Sequence, residues 1–71
     1  MTAPHTEYLK EIQAALKAAT KYREHLLAAL NAAQRPDGAK WAQNCIINAD
    51  DAINEADTHV DKAWHALNQI T

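Results

Sequence analysis

The sequence has no phenylalanine, a single glycine and only two prolines, so little in it can break a helix. It has one cysteine, Cys45, which excludes an internal disulfide and points to a reducing compartment. No apolar run approaches the ~20 residues of a membrane span. The opening stretch, MTAPHTEYLKE, lacks the basic-then-apolar order of a signal peptide, so the expected location is cytoplasmic. The formal net charge is only −2, which gives no general grip on nucleic acid and no strong attraction to a membrane surface. What remains is a chain of 71 residues rich in alanine, enough for one small helical domain with a modest core.

One break divides it. In AQRPDGAKW, Pro36 disfavours helix at Arg35, and Asp37-Gly38 is turn chemistry. Asp37 is also a candidate cap for the helix that follows. Pro4 sits where the first turn of a helix tolerates it. The pattern predicts a single helical-hairpin domain over 1–71: a helix over about 4–34, a turn at 35–37 and a second helix over about 38–70. Each helix is roughly 45 Å long, and so short a connection makes them antiparallel neighbours.

In the second helix Ala42, Ile46, Ala49, Ile53, Ala56, Val60, Ala63, Leu67 and Ile70 step by four and three, a heptad seam alternating large residues with alanine. Leu9, Ile12, Leu16, Ala19, Arg23, Leu26, Leu30 and Ala33 give the first helix a matching series. Alanine at every second position lets the helices approach closely. The acids of NADDAINEADTHVDKAW, residues 48–64, fall beside or opposite this seam and read as a solvated face. Arg23 is the one charged seam residue; folding the hairpin at 36–37 sets it opposite Asp50, a pairing that would fix register. Residues 1–35 carry net +2 and residues 36–71 net −4, so the halves are charged to attract one another.

Beside these seams run second lines, Tyr8, Ala15, Tyr22, Ala29 in the first helix and Cys45, Ala52, His59, Ala66 in the second. Each helix is therefore apolar over about three positions in seven, the width of a multi-helix bundle. The expected fold is all-α: an antiparallel two-helix hairpin, a coiled coil with an alanine-rich heptad seam, pairing into a dimeric four-helix bundle. Trp41, Ile47 and Trp64 fall off the seam and are candidate anchors for a partner protein. Equally, Trp41 can cover the turn and Trp64 the Tyr8–Leu9 end of the first helix.

Little points to chemistry. The histidines, His5, His25, His59 and His65, include no pair with metal-ligand spacing, and Glu-x-x-His is absent. Glu55/His59 and Asp61/His65 have the i, i+4 spacing of surface acid–histidine pairs. Cys45 has no positioned base, and a single glycine makes no phosphate loop. Lys10, Lys17 and Lys21 form a basic strip, but Glu7, Glu11 and Glu24 interleave it, which disfavours nucleic acid. No enzyme, metal or cofactor is expected.

ADTHVDKAWHAL, residues 56–67, resembles the closing helix of small phage-encoded helical hairpins that sequester cyclic-nucleotide immune signals. Thr58, His59, Val60 and the surrounding alanines carry the likeness, over about a sixth of the chain. One turn before Thr58 the family tends to have a basic residue where this chain has Asn54. The resemblance implies a cyclic-nucleotide ligand, with Thr58, Tyr8 and Arg23 as contacts. The chain lacks the basic face of RNA-binding hairpin dimers, and its Gly38-Ala39-Lys40-Trp41 turn is not the Trp-x-Gly of secreted hairpins. The functional expectation is a non-enzymatic homo-oligomer, an accessory or inhibitor protein of bacteria or phage that binds a host or phage protein. The alternative is an oligomeric sponge for an anionic cyclic nucleotide.

Overall fold

A computed structural model describes residues 4–70, with the side chains of Pro4 and His5 outside the described set. Two helices account for almost all of it: α1 (Pro4–Ala33) and α2 (Ala39–Ile70), packed against each other as an antiparallel hairpin. The described residues contain no strand. The helix ends fall within one residue of the sequence expectation, because Pro36 and Gly38 punctuate an otherwise helix-favouring composition.

The turn is tight, and Gly38 makes it so. The Arg35 N–H donates to the Ala32 carbonyl at 3.1 Å, narrowing the last turn of α1. The Gly38 N–H then donates to the Arg35 carbonyl at 3.2 Å, and the Gly38 carbonyl accepts the first α2 bond from the Ala42 N–H at 2.8 Å. Gly38 has no positive φ. It is needed for room: a Cβ there would run into the carbonyl oxygen of Ala32. The expected Asp37 cap is not formed, since the residue preceding the helix is Gly38 and the Asp37 carboxylate makes no hydrogen bond.

The seam is where sequence and structure part. On α2 the buried residues are Cys45, Ala49, Ala52, Ala56 and Ala63, with Ala42, His59 and Ala66 half-buried between and beyond them. On α1 they are Ala15, Ala18 and Ala29, with Tyr8, Glu11, Tyr22, His25 and Ala32 half-buried on the same stripe. The α1 seam thus runs through Tyr8, Glu11, Ala15, Ala18, Tyr22, His25, Ala29 and Ala32, one residue before the predicted series. On α2 the alanine half of the predicted seam is correct, but Ile46, Ile53, Val60 and Leu67 are exposed and the line from Cys45 to Ala66 takes their place. The physical reason is separation. Methyl-sized side chains at both seam positions let the backbones approach, and branched side chains fit only on the flank.

The polar contact that ties the register changes with the seam. Arg23 and Asp50 are both exposed and form no ion pair with one another. Instead Glu11 and His59 meet across the seam: His59 Nδ1 donates to Glu11 Oε2 at 2.8 Å, each side chain about a quarter exposed. A carboxylate can only accept, so this contact assigns the proton to Nδ1. His59 therefore pairs with α1 rather than with Glu55 of its own helix, whereas Asp61 and His65 do approach as an exposed i, i+4 pair at 3.7 Å.

Candidate interaction surface

Moving the seam onto small residues leaves the large ones outside. Leu9, Ile12, Leu16, Leu26 and Leu30 of α1 are exposed, as are Ile46, Ile53, Val60 and Leu67 of α2. Their spacing decides where they lie. On each helix, residues one position after a seam residue share one flank, and in an antiparallel pair these flanks fall on the same side of the hairpin. They therefore meet in one broad apolar face along a hairpin whose Cα extents are 54 × 17 × 12 Å. A groove of about 530 Å³ runs down this face, lined by Ile12, Leu16, Ile53, Val60 and Leu67 among others, with Trp64 and Asp57 at its α2 edge.

The area of exposed surface makes the same point. The chain exposes 5589 Å², whereas a compact protein of its mass exposes about 4,400 Å². The excess, roughly 1,200 Å², exceeds the ~800 Å² that each partner contributes to a standard protein interface. The core offers little to compensate. Its buried side chains are alanines and one cysteine; each buried methyl contributes only ~0.8 kcal/mol, while ordering one backbone residue costs ~1 kcal/mol or more.

Charge on the face is sparse and separated by helix. Leu16 and Asp57 border the groove on α1 and α2. One heptad from each, on the same edges, stand Arg23 and Asp50; Arg23 lies between Leu16 and Leu26 in the sequence of the flank and has no ion pair among the described residues. The basic strip of Lys10, Lys17 and Lys21 lies on the other side of α1, away from this face.

The three expected anchors are exposed but do not form one surface. Trp64, 62% exposed, borders the apolar groove. Trp41, 72% exposed, lies ~35 Å along α2 from Trp64, at the turn beside Ala28, Ala32, Arg35 and Asp37. It edges the turn without being buried by it. Ile47, 59% exposed, follows Ile46 by one residue and is turned about 100° further from the seam, toward the back of α2. Nor do the nucleotide candidates converge. Tyr8 is half-buried at the seam, Arg23 lies ~22 Å along α1 from it, and Thr58 is exposed on α2 with its hydroxyl donated to the Asn54 carbonyl at 3.0 Å. Tyr8, Arg23 and Thr58 cannot touch one small ligand within one chain. Glu11 is the residue that sequence reasoning missed; its signal was the 3,4 spacing from Tyr8 to Ala15, overlooked because an acid was not considered for the seam.

The remaining reactive groups are occupied or scattered. Cys45 is a buried free thiol of the seam, and no cluster of three metal-ligating side chains occurs among the described residues. No helix among them is long and apolar enough to cross a membrane. Comparison with known protein families, with curated protein sequences and with solved structures found no match to this chain. The fold and surface define a helical hairpin with one uncovered apolar face.

Proposed function

We propose that the chain is a non-enzymatic helical interaction protein that works as a homo-oligomer, most simply a dimeric four-helix bundle. In this role the apolar face of one hairpin covers that of another, and Trp41 and Ile47, which lie off the face, stay outside to engage a partner protein. An accessory or inhibitory role toward that partner, in a bacterial or phage setting, rests on analogy with other small stand-alone helical hairpins, and a cytoplasmic location on the lone Cys45.

The observation that carries this reading is the row of exposed large side chains from Ile46 to Leu67 beside that from Leu9 to Leu30, on one side of the hairpin. Self-association supplies the burial that the alanine seam lacks. Light scattering should give a dimer or larger species at micromolar concentration, and the melting temperature should rise with protein concentration. Ile53→Ser, on the face and outside the seam, should shift the assembly toward monomer. A well-folded monomeric wild type at that concentration overturns the proposal.

The second reading, an oligomeric sponge for an anionic cyclic nucleotide, rests on the resemblance of residues 56–67 and on an Arg23 guanidinium that has no ion-pair partner among the described residues. Among apolar neighbours it would bind phosphate as a charge-assisted, bidentate donor. Tyr8 and Thr58 would have to come from other copies. Calorimetry with cyclic nucleotides decides: heat that disappears in Arg23→Met establishes the sponge, and no heat at high micromolar concentration removes it for those ligands.

A further inference from the structure

Resting on the proposal that the apolar face is covered by a second copy, we infer how the two copies are arranged: α1 of each lies over α2 of the other, both turns are at the same end, and Arg23 of each chain pairs with Asp50 of the second copy. The apolar residues alone do not choose an arrangement. Two hairpins can be stacked face to face by a two-fold axis running along the helices, or by one running across them. The first sets α1 over α2 of the second copy. The second sets α1 over α1 and α2 over α2, with the turns at opposite ends. Both bury the same leucines and isoleucines.

The charges do choose. Arg23 is the only charged residue on the α1 edge of the face, whereas the α2 edge carries Asp50 and Asp57. Helix α1 ends at residue 33 and α2 begins at 39, so residue 23 lies about level with residues 49–50. An axis along the helices keeps every residue at its own level. It therefore brings Arg23 against Asp50 of the second copy, twice over, and Leu9 against Trp64 of the second copy at the far end. An axis across the helices reverses the levels about the middle of each helix. It brings Asp50 of one α2 to within about two residues of the level of Asp57 of the other, acid beside acid, and sets each Arg23 about level with residue 14, between Ile12 and Leu16.

The in-chain state fits this assignment. Arg23 and Asp50 are both exposed, and neither has an ion pair among the described residues. A guanidinium on an apolar face would be left desolvated and unpaired by any partner that did not present an acid there. Leu16 and Asp57, which border the groove one heptad away, show that these edges belong to the face being covered.

Charge exchange between copies tests the arrangement. Arg23→Asp and Asp50→Arg are made as separate chains, with helicity checked by circular dichroism. Each alone should weaken its homodimer at least about tenfold, because like charges then face one another. Mixed, the two variants should form a heterodimer in preference to either homodimer, since both cross-copy pairs become opposite in sign. The arrangement with α1 over α1 gives the reverse for one variant: Asp50→Arg alone then faces Asp57 of the other copy and tightens the dimer. That outcome, or equal mixing without preference, overturns the inference while self-association itself stands. A wild type that stays monomeric in the same measurement instead overturns the proposal on which it rests. A second readout needs no charge change: spin labels at Lys40→Cys in a Cys45→Ala background should lie within about 30 Å of each other if the turns share an end. Separations approaching the 54 Å length of the hairpin place the turns at opposite ends.

Discussion

The seam and the flank beside it are adjacent stripes on the same helices, yet they are built from opposite materials. The seam is alanine, with Cys45, two tyrosines, Glu11, His25 and His59; the flank is leucine, isoleucine and valine. In most small domains the larger side chains would be inside, because they gain most from burial. Here close approach of the two backbones claims the inner stripe for small residues, and the large residues are displaced to a second surface that one hairpin cannot cover. Packing distance sets the hairpin, and apolar area sets its need for a partner.

Enlarging a seam residue should break that comparison most strongly. Ala49 is 1% exposed at the middle of the seam. Ala49→Leu should force the helices apart and cost about 3 kcal/mol or more, read as a loss of stability in urea unfolding. Ile53→Leu, a similar side chain on the flank, should cost less than about 1 kcal/mol. Equal effects at the two positions would show that the seam does not lie where it has been placed.

The next largest effect is expected at the turn that holds the helices at this separation. Gly38→Ala puts a Cβ against the backbone carbonyl of Ala32, which cannot rotate away as a side chain can. Displacing the end of α1 should cost about 2 kcal/mol. Glu11→Ala should cost less, about 1 kcal/mol, because the Glu11–His59 contact is still partly solvated. A double-mutant cycle with His59→Ala should return most of that value as coupling between the pair. No measurable coupling would remove this contact as the register pin.

These magnitudes explain what was legible in the sequence. The helices and turn were, because alanine, one Pro–Asp–Gly break and heptad spacing all agree on them. The all-α hairpin followed from the same spacing, whereas the exposure of Trp41 and Trp64 did not, because spacing put them off the seam without saying whether the turn or the end of α1 covers them. The seam register was legible only in part, because periodicity gives the repeat of a stripe but not which of two neighbouring stripes is inside. Ranking by size put Leu9 to Ala33 in the core; the backbone separation that puts Tyr8 to Ala32 there is a property of both helices at once. Arg23 was assigned to the seam for the same reason, so the register role sought there falls to Glu11 and His59. That Trp41 and Trp64 stand at opposite ends of α2 follows from the rise per residue, but their sharing one surface did not survive it.

The smallest expected effect concerns the two adjacent acids Asp50 and Asp51, and it separates flank from back. Both are exposed, so neither should matter to the stability of a lone hairpin. Asp50 lies one heptad before Asp57, on the edge of the apolar groove, whereas Asp51 is turned a further 100° toward solvent and makes no ion pair. Asp51→Asn should change stability by less than about 0.5 kcal/mol and leave the dimer dissociation constant unaltered. Asp50→Asn should be just as mild in the unfolding of a monomeric Ile53→Ser background, yet weaken self-association of the otherwise wild-type chain. The difference between neighbours then isolates the face from the general loss of one negative charge, because both substitutions change the net charge by the same amount. If Asp51→Asn weakens association as much as Asp50→Asn does, the acids of α2 act through overall charge, and the apolar face is not where they meet the second copy.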